Sequence, residues 1–427
     1  METKTTALLE PEEICEDATA TLGRRINWTN TIKKWTLETP SFFPYFRSWY
    51  RGKDVAEAMT KYPLNNMAGL ASNNREALQK TIAYMRERDP KYDPIAIIDP
   101  QSELLYFRSA AEADRKLAFE GGVFPKDIST LIANRLRTAS GLRTDSYNDL
   151  LKLLYNPKTC AGWLDEQIRK NVAAGSKIGI PMLPMIESEE SRGRWKEAYS
   201  GLKRLYLTTD NIEGEIGIPL ALHTVVHPNI FDDGKEELPT NILADIEELK
   251  PTAVTVKVAF GADLTNQKNP ERAQNTKNFL EAIGRTCKAS NTPTHLFCEN
   301  EDGIHAFALG FNTFSQPVDG KVLRTDFASE VQPSMEQRYG RIYDYTSKNR
   351  VTHKTWLTQS EGIGHAPCGL ACCKDKKYGV LSRMTLHEFY HYAGVHLLVN
   401  RNQEVGEVIL SIKESKLVQH LKTKYRR

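Results

Sequence analysis

Short β-branched runs alternate with amphipathic helical stretches about every 35 residues along this chain, and that rhythm narrows the folds open to it. The clearest strand candidates are residues 94–99 (PIAIID), 220–226 (LALHTVV), 253–260 (AVTVKVAF) and 294–298 (THLFC). Helical periodicity predicts helices over residues 192–206, 238–249 and 270–288. Residues 177–186 (KIGIPMLPMI) are equally apolar, but two prolines interrupt them. Proline donates no ladder hydrogen bond, so a regular strand is disfavoured there. A strand, a crossover helix and a further strand run parallel because the helix returns the chain to the same end of the sheet. A closed barrel and an open doubly wound sheet both satisfy this pattern. No G-x-G-x-x-G turn follows a strand and no phosphate-binding P-loop is present, so the nucleotide-binding open sheets lose their usual mark.

The 427 residues, 40% hydrophobic, suffice for a large core, and barrels of about 250 residues or more form single domains. The formal net charge is only +3, which neither requires nor excludes a nucleic-acid partner, because a near-neutral protein can still carry a basic groove. Basic pairs at Arg24–Arg25 and Lys33–Lys34, and the lysine- and arginine-rich end over residues 422–427, are candidate phosphate contacts. Arg47, Trp49, Tyr50 and Arg51 add aromatic rings to basic side chains, although a charge run is more often a solvated face. No run of about 18 apolar residues suggests a membrane span. Residues 1–17 are acidic and polar, without the charged-then-apolar order of a secretion signal. Four of the seven cysteines (Cys15, Cys160, Cys287, Cys298) are scattered, a distribution that suits a reducing, cytoplasmic compartment.

The other three cysteines, Cys368, Cys372 and Cys373, lie within six residues of each other ahead of an apolar helical stretch carrying His387, His391 and His396. Zinc takes four thiolate or imidazole ligands in a tetrahedron, commonly from a tight loop and the helix after it. Cys368, Cys372, Cys373 and His387 supply such a set, and His391 lies one helical turn further on, so either histidine can face the same ion. Three thiolates and one imidazole leave no open position, which makes the expected Zn2+ structural. Free thiols beside an amphipathic helix are the competing reading, because adjacent cysteines are an uncommon ligand spacing.

Several stretches, taken in order, resemble the tRNA-guanine transglycosylase superfamily. Residues 37–44 (LETPSFFP) are similar to that family's threonine-proline-alanine-phenylalanine-methionine-proline opening. Residues 301–314 (EDGIHAFALGFNTF) resemble its glutamate-aspartate helix and the strand after it. The cysteine cluster stands where the family carries its zinc site, and Ser382–Arg383 resemble the approach to the zinc histidine. The resemblance runs from about residue 30 to residue 400 and implies an α/β fold: an irregular (β/α)8 TIM-like barrel with a C-terminal zinc-binding subdomain. The expected division is a lead-in over residues 1–30, the barrel over 31–345, and a zinc-binding and helical segment over 346–427. The implied activity is exchange of guanine in nucleic acid for a 7-deazaguanine base. The chain lacks room for an added C-terminal RNA-binding domain, so DNA is slightly favoured over tRNA. A homo- or hetero-oligomer is compatible with the resemblance.

Base exchange needs a carboxylate to trap the sugar carbon, a proton for the departing base, and polar groups reading the base edges. Asp99 ends its run where the family has aspartate-serine-glycine-glycine; here the text reads Asp99–Pro100–Gln101–Ser102, keeping the aspartate and losing the glycines. The family's phenylalanine-aspartate becomes Phe314–Ser315, so the nucleophile position holds a serine. Asp319, four residues on, and Asp263, after the 253–260 run, are the alternative carboxylates. Gly261 matches the glycine region that holds the base, and His223, His227, Glu187 and Glu189 are candidates for reading it. A non-catalytic barrel that binds nucleic acid or a partner subunit is the alternative that Ser315 favours.

Overall fold

A computed structural model describes residues 41–61, 69–91, 94–105, 151–209, 219–259, 269–298, 303–318, 341–344 and 349–352, apart from positions 233, 304 and 307, together with residue 264. Seven parallel strands form one sheet: β1 (Ser41–Phe46), β2 (Leu70–Ser72), β3 (Ala96–Ile98), β4 (Ala221–Val226), β5 (Ala253–Val258), β6 (Thr294–Phe297) and β7 (Thr313–Pro317). Their spatial order is β3-β2-β1-β7-β6-β5-β4. Helices α1 (Trp49–Lys61), α2 (Arg75–Arg88), α3 (Cys160–Ala173), α4 (Glu189–Thr209), α5 (Glu237–Leu249) and α6 (Pro270–Ala289) follow or separate the strands. A second, two-stranded sheet pairs β8 (Arg341–Asp344) with β9 (Asn349–Thr352) in antiparallel fashion.

Local chemistry sets the helix ends. Asn74 caps α2 by accepting the Ala77 N–H at 3.0 Å, and Asn269 caps α6 by accepting the Arg272 N–H at 3.1 Å, with Pro270 in the first turn, where its missing N–H costs nothing. Helices α4, α5 and α6 exceed the ranges predicted from periodicity by no more than three residues at either end.

The sheet is curled. Along it β3 and β5 are five strands apart, about 24 Å in a flat sheet at about 4.8 Å per step. Yet Lys257 on β5 reaches Asp99, just after β3, with 2.9 Å between nitrogen and oxygen. Only strong curvature brings those two side chains together. The alternation along each strand agrees. Phe42, Phe46, Leu222, Val254, Val256, Leu296 and Phe314 join the apolar cluster that includes the helices. Phe43, Tyr45, Ala71, Ile97, Ala221, Ala253 and Phe297 form a second cluster on the opposite, concave face. Burial on both faces is what a parallel sheet sheathed by helices requires, at about 1.5–3 kcal/mol for each large apolar side chain.

Residues 177–186 are the irregular stretch that their prolines imply, and they touch both edges of the sheet. The Lys177 N–H bonds Ala96 O on β3 at 2.7 Å, Gly179 N–H bonds Pro219 O at 2.8 Å, and Ile186 N–H bonds Val225 O on β4 at 2.8 Å. Among the described residues no helix is long and apolar enough to cross a membrane, and Cys160 and Cys287 are free, buried thiols.

Candidate active site at the strand ends

The concave face is layered by register. His223, Thr255, His295 and Thr313 stand side by side on β4, β5, β6 and β7. Val225, Lys257, Phe297 and Ser315 form the next layer toward the strand C-termini, with Phe43 of β1 opposite Ser315. Tyr45 and Ala71 face each other further round, next to Ile97. The lower layer is thus a four-strand belt of alternating histidine and threonine, and the charged groups gather above it.

Asp99 is the centre of that gathering and is only 1% exposed. Its Oδ2 accepts the Tyr45 hydroxyl at 3.1 Å and Lys257 Nζ at 2.9 Å, while its Oδ1 accepts the Gln101 backbone N–H at 2.9 Å. That last bond closes a turn through Pro100 in which Gln101 takes a left-handed conformation, φ 50°. The backbone at Gln101 thus adopts a glycine-like shape without a glycine. Gln101 uses its side chain instead: Nε2 donates to the Tyr45 hydroxyl at 3.3 Å, and Oε1 accepts from Asn73 Nδ2 at 2.8 Å.

A short 3-10 turn, Ser102–Leu105, then brings Glu103 back to the same lysine, with Lys257 Nζ donating to Glu103 Oε1 at 2.5 Å. Glu103 is also 1% exposed, and its Oε2 finds no hydrogen-bond partner among the described residues. One ammonium therefore lies between two buried carboxylates. Burial alone would raise the Asp99 carboxyl, but the charge of Lys257, with the bonds from Lys257 and Gln101, outweighs it and holds it below the usual range. Burial, reinforced by the Asp99 charge, outweighs Lys257 at Glu103 and holds that carboxyl above its usual range. Tyr45 is pushed well up by burial and the same aspartate, so its hydroxyl remains a donor.

The two histidines below are neutral. Burial lowers His223 and His295 to about 3 each. Thr313 Oγ1 donates to Thr294 O at 3.2 Å, and a hydroxyl has one proton, so it accepts from His295 Nδ1 at 2.8 Å. His295 accordingly carries its proton on Nδ1. His223 Nδ1 meets Thr255 Oγ1 at 2.8 Å, its Nε2 has no hydrogen-bond partner among the described residues, and Trp195 of α4 fixes the strand there by donating Nε1–H to His223 O at 2.9 Å.

Of the residues singled out in the sequence, Asp99 and His223 belong to this centre. Ser315 lies on the concave face of β7, fully buried, with an Oγ lacking a hydrogen-bond partner among the described residues. Glu187 follows the end of the irregular stretch, beside the C-terminal end of β4; burial pushes its carboxyl up to about 7. Glu189 instead opens α4 and pairs with Arg192 at 2.6 Å on the outside. His227 caps the 3-10 turn Pro228–Phe231, its Nδ1 accepting the Asn229 N–H at 3.1 Å, which is a structural engagement. Gly261, Asp263, Asp319 and the zinc set Cys368, Cys372, Cys373 and His387 lie outside the described residues. Among the described residues no group of three or more histidine, cysteine or acidic side chains is arranged to hold a metal ion.

Sequence reading missed Lys257, Glu103, Tyr45, Gln101 and Asn73. Lys257 had a usable signal: a lysine inside AVTVKVAF, an apolar run suited to burial on both faces, demands a buried counter-charge. In comparisons with known proteins, no family model and no curated protein matches this chain.

Proposed function

We propose that the curled sheet is a (β/α)8 barrel of the transglycosylase type, with residues 177–186 in place of a regular strand, and that it exchanges a guanine of nucleic acid for a 7-deazaguanine base. One observation carries this reading. Asp99, singled out by its motif, stands at a strand C-terminus on the concave face, where barrels hold their catalytic groups. There it forms a buried dicarboxylate–lysine centre with Glu103 and Lys257. Two carboxylates with opposed tendencies to ionise suit a reaction that needs a fixed negative charge near a developing sugar cation and a proton for the departing base. Asn73 Oδ1, His223 Nε2 and Glu103 Oε2 are buried polar atoms with no hydrogen-bond partner among the described residues, the type of group a planar heterocycle satisfies. The zinc expected at Cys368, Cys372, Cys373 and His387 is structural in this reading, and the protein needs no membrane.

The test is exchange of radiolabelled guanine into DNA and into tRNA, with a denaturing-gel search for a covalent complex in Asp99→Ala, Glu103→Gln, Asp263→Ala and Asp319→Ala. Label entering DNA more than tRNA is the expected result, with a trapped band lost in one carboxylate variant. A second reading has its own support: Ser315 offers no carboxylate at the family's nucleophile position, which favours a barrel that binds nucleic acid or a partner subunit without reacting. Tight binding with neither label exchange nor a trapped band would establish that second reading.

A further inference from the structure

Asp99 is the carboxylate that the sequence singles out, but both of its oxygens are already engaged. Three donors converge on its two oxygens, and one of them is an ammonium. A carboxylate held by three donors, one of them charged, is kept ionised and so carries no proton to hand on. Glu103 differs in each respect. Only its Oε1 is engaged; its Oε2 is buried and has no hydrogen-bond partner among the described residues. Lys257 supplies one positive charge, and the shorter list of donors at Glu103 leaves it the less compensated of the two carboxylates. An uncompensated buried carboxylate costs more than taking up a proton, so the proton settles on Glu103, and on the oxygen that Lys257 does not occupy.

We propose that Glu103, through Oε2, is the proton-carrying residue of this centre, while Asp99 is its fixed anion and Lys257 the positioning residue that holds the two apart in role. The proposal rests on the base-exchange reading for its reaction. As the bond between the sugar carbon and the base nitrogen breaks, its electron pair stays on the base. The Glu103 proton goes to the base, leaving a carboxylate that balances the positive sugar carbon. The incoming base then forms the new carbon–nitrogen bond with its own electron pair and returns its proton to Glu103. Charge and protons balance over the cycle with no further reactant.

The test begins without substrate. The full-length chain is labelled with carbon-13 in its glutamate carboxyls and titrated, with Glu103→Gln identifying the resonance. A glutamate signal titrating above the ordinary value of 4.5, and missing in Glu103→Gln, is expected. Titration of Glu103 at or below that value overturns the proposal whatever the activity. In the exchange assay Glu103→Gln should lower the rate at least about 100-fold. The wild-type rate should fall as pH rises through the midpoint seen by resonance, while Asp99→Asn should move that midpoint down, because the Asp99 charge helps to raise it, without removing it from the profile of whatever activity remains. Unchanged exchange in a folded Glu103→Gln protein also overturns it. If the wild-type chain exchanges no base in either nucleic acid, the functional reading fails. The glutamate titration then still decides whether Glu103 holds the proton.

Discussion

Lys257 carries a single charge between two carboxylates, so replacing it removes more than one ion pair. In Lys257→Met both Asp99 and Glu103, each 1% exposed, lose their cation at once. Breaking a buried pair by deleting one partner typically costs about 3–5 kcal/mol, because the remaining charge stays desolvated. The cost should shrink in acid, where the abandoned carboxylates can take up protons. Urea unfolding of Lys257→Met is therefore expected to show a larger deficit at pH 8 than at pH 5, and Lys257→Met with Glu103→Gln should recover part of it. An equal deficit at both pH values would mean that the carboxylates are not compensated by this lysine. The same cluster shows what sequence can say about single residues. Asp99 was legible because it ends a β-branched run before a proline. Its partner lies 158 positions downstream, and no local pattern connects the two. Glu103 was not legible because its place depends on a short turn and on a left-handed Gln101 that the sequence Asp99–Pro100–Gln101–Ser102 does not announce.

Helices and strands were easier to read, because period and caps are local properties. The boundaries of α4, α5, α6, β4, β5 and β6 follow the apolar periodicity closely. Curvature was not written in any one segment; it emerges from how seven strands pack, and the proline-broken residues 177–186 gain their place only by bonding to both sheet edges. Packing between elements can be probed at two glycines with opposite surroundings. A Cβ on Gly284 in α6 would fall 2.0 Å from Leu309 O, in the backbone turn before β7, and backbone has little freedom to retreat. A Cβ on Gly193 in α4 would meet nothing within 4 Å. Gly284→Ala is expected to destabilise by about 2–3 kcal/mol or to displace the 308–310 turn. Gly193→Ala should stabilise by about 0.5–1 kcal/mol through the lower backbone entropy of alanine in a helix. Thermal unfolding of the two variants side by side checks both signs, and a neutral Gly284→Ala would show that α6 and the turn are not in close contact.

For the molecule as a whole, the histidine–threonine belt ties stability to pH through groups that no solvent reaches. His223 and His295 are both 0% exposed and titrate at about 3 when folded, against 6.5 for the free side chain. Between those values the unfolded chain binds a proton at each histidine and the folded chain does not. Stability is therefore fully present above pH 6.5 and declines as pH falls, by about 1.4 kcal/mol per pH unit for each histidine. Asp99 acts in the same sense at lower pH, because its folded carboxyl is held below 3.8 and its stabilisation is lost as it gains a proton. Glu103 opposes them: its folded carboxyl lies above 4.5, so its contribution is lost as pH rises. Two histidines outweigh one glutamate in the range below 6.5, and the net expectation is a protein that weakens on mild acidification. Urea midpoints measured from pH 7.5 to pH 5 should fall steeply for the native sequence. A His223→Asn, His295→Asn double variant keeps a polar group opposite each threonine but binds no proton in this range. It should start less stable at pH 7.5 and lose less on acidification. Parallel declines in the two proteins would place the acid sensitivity elsewhere and would mean that the belt histidines reach solvent.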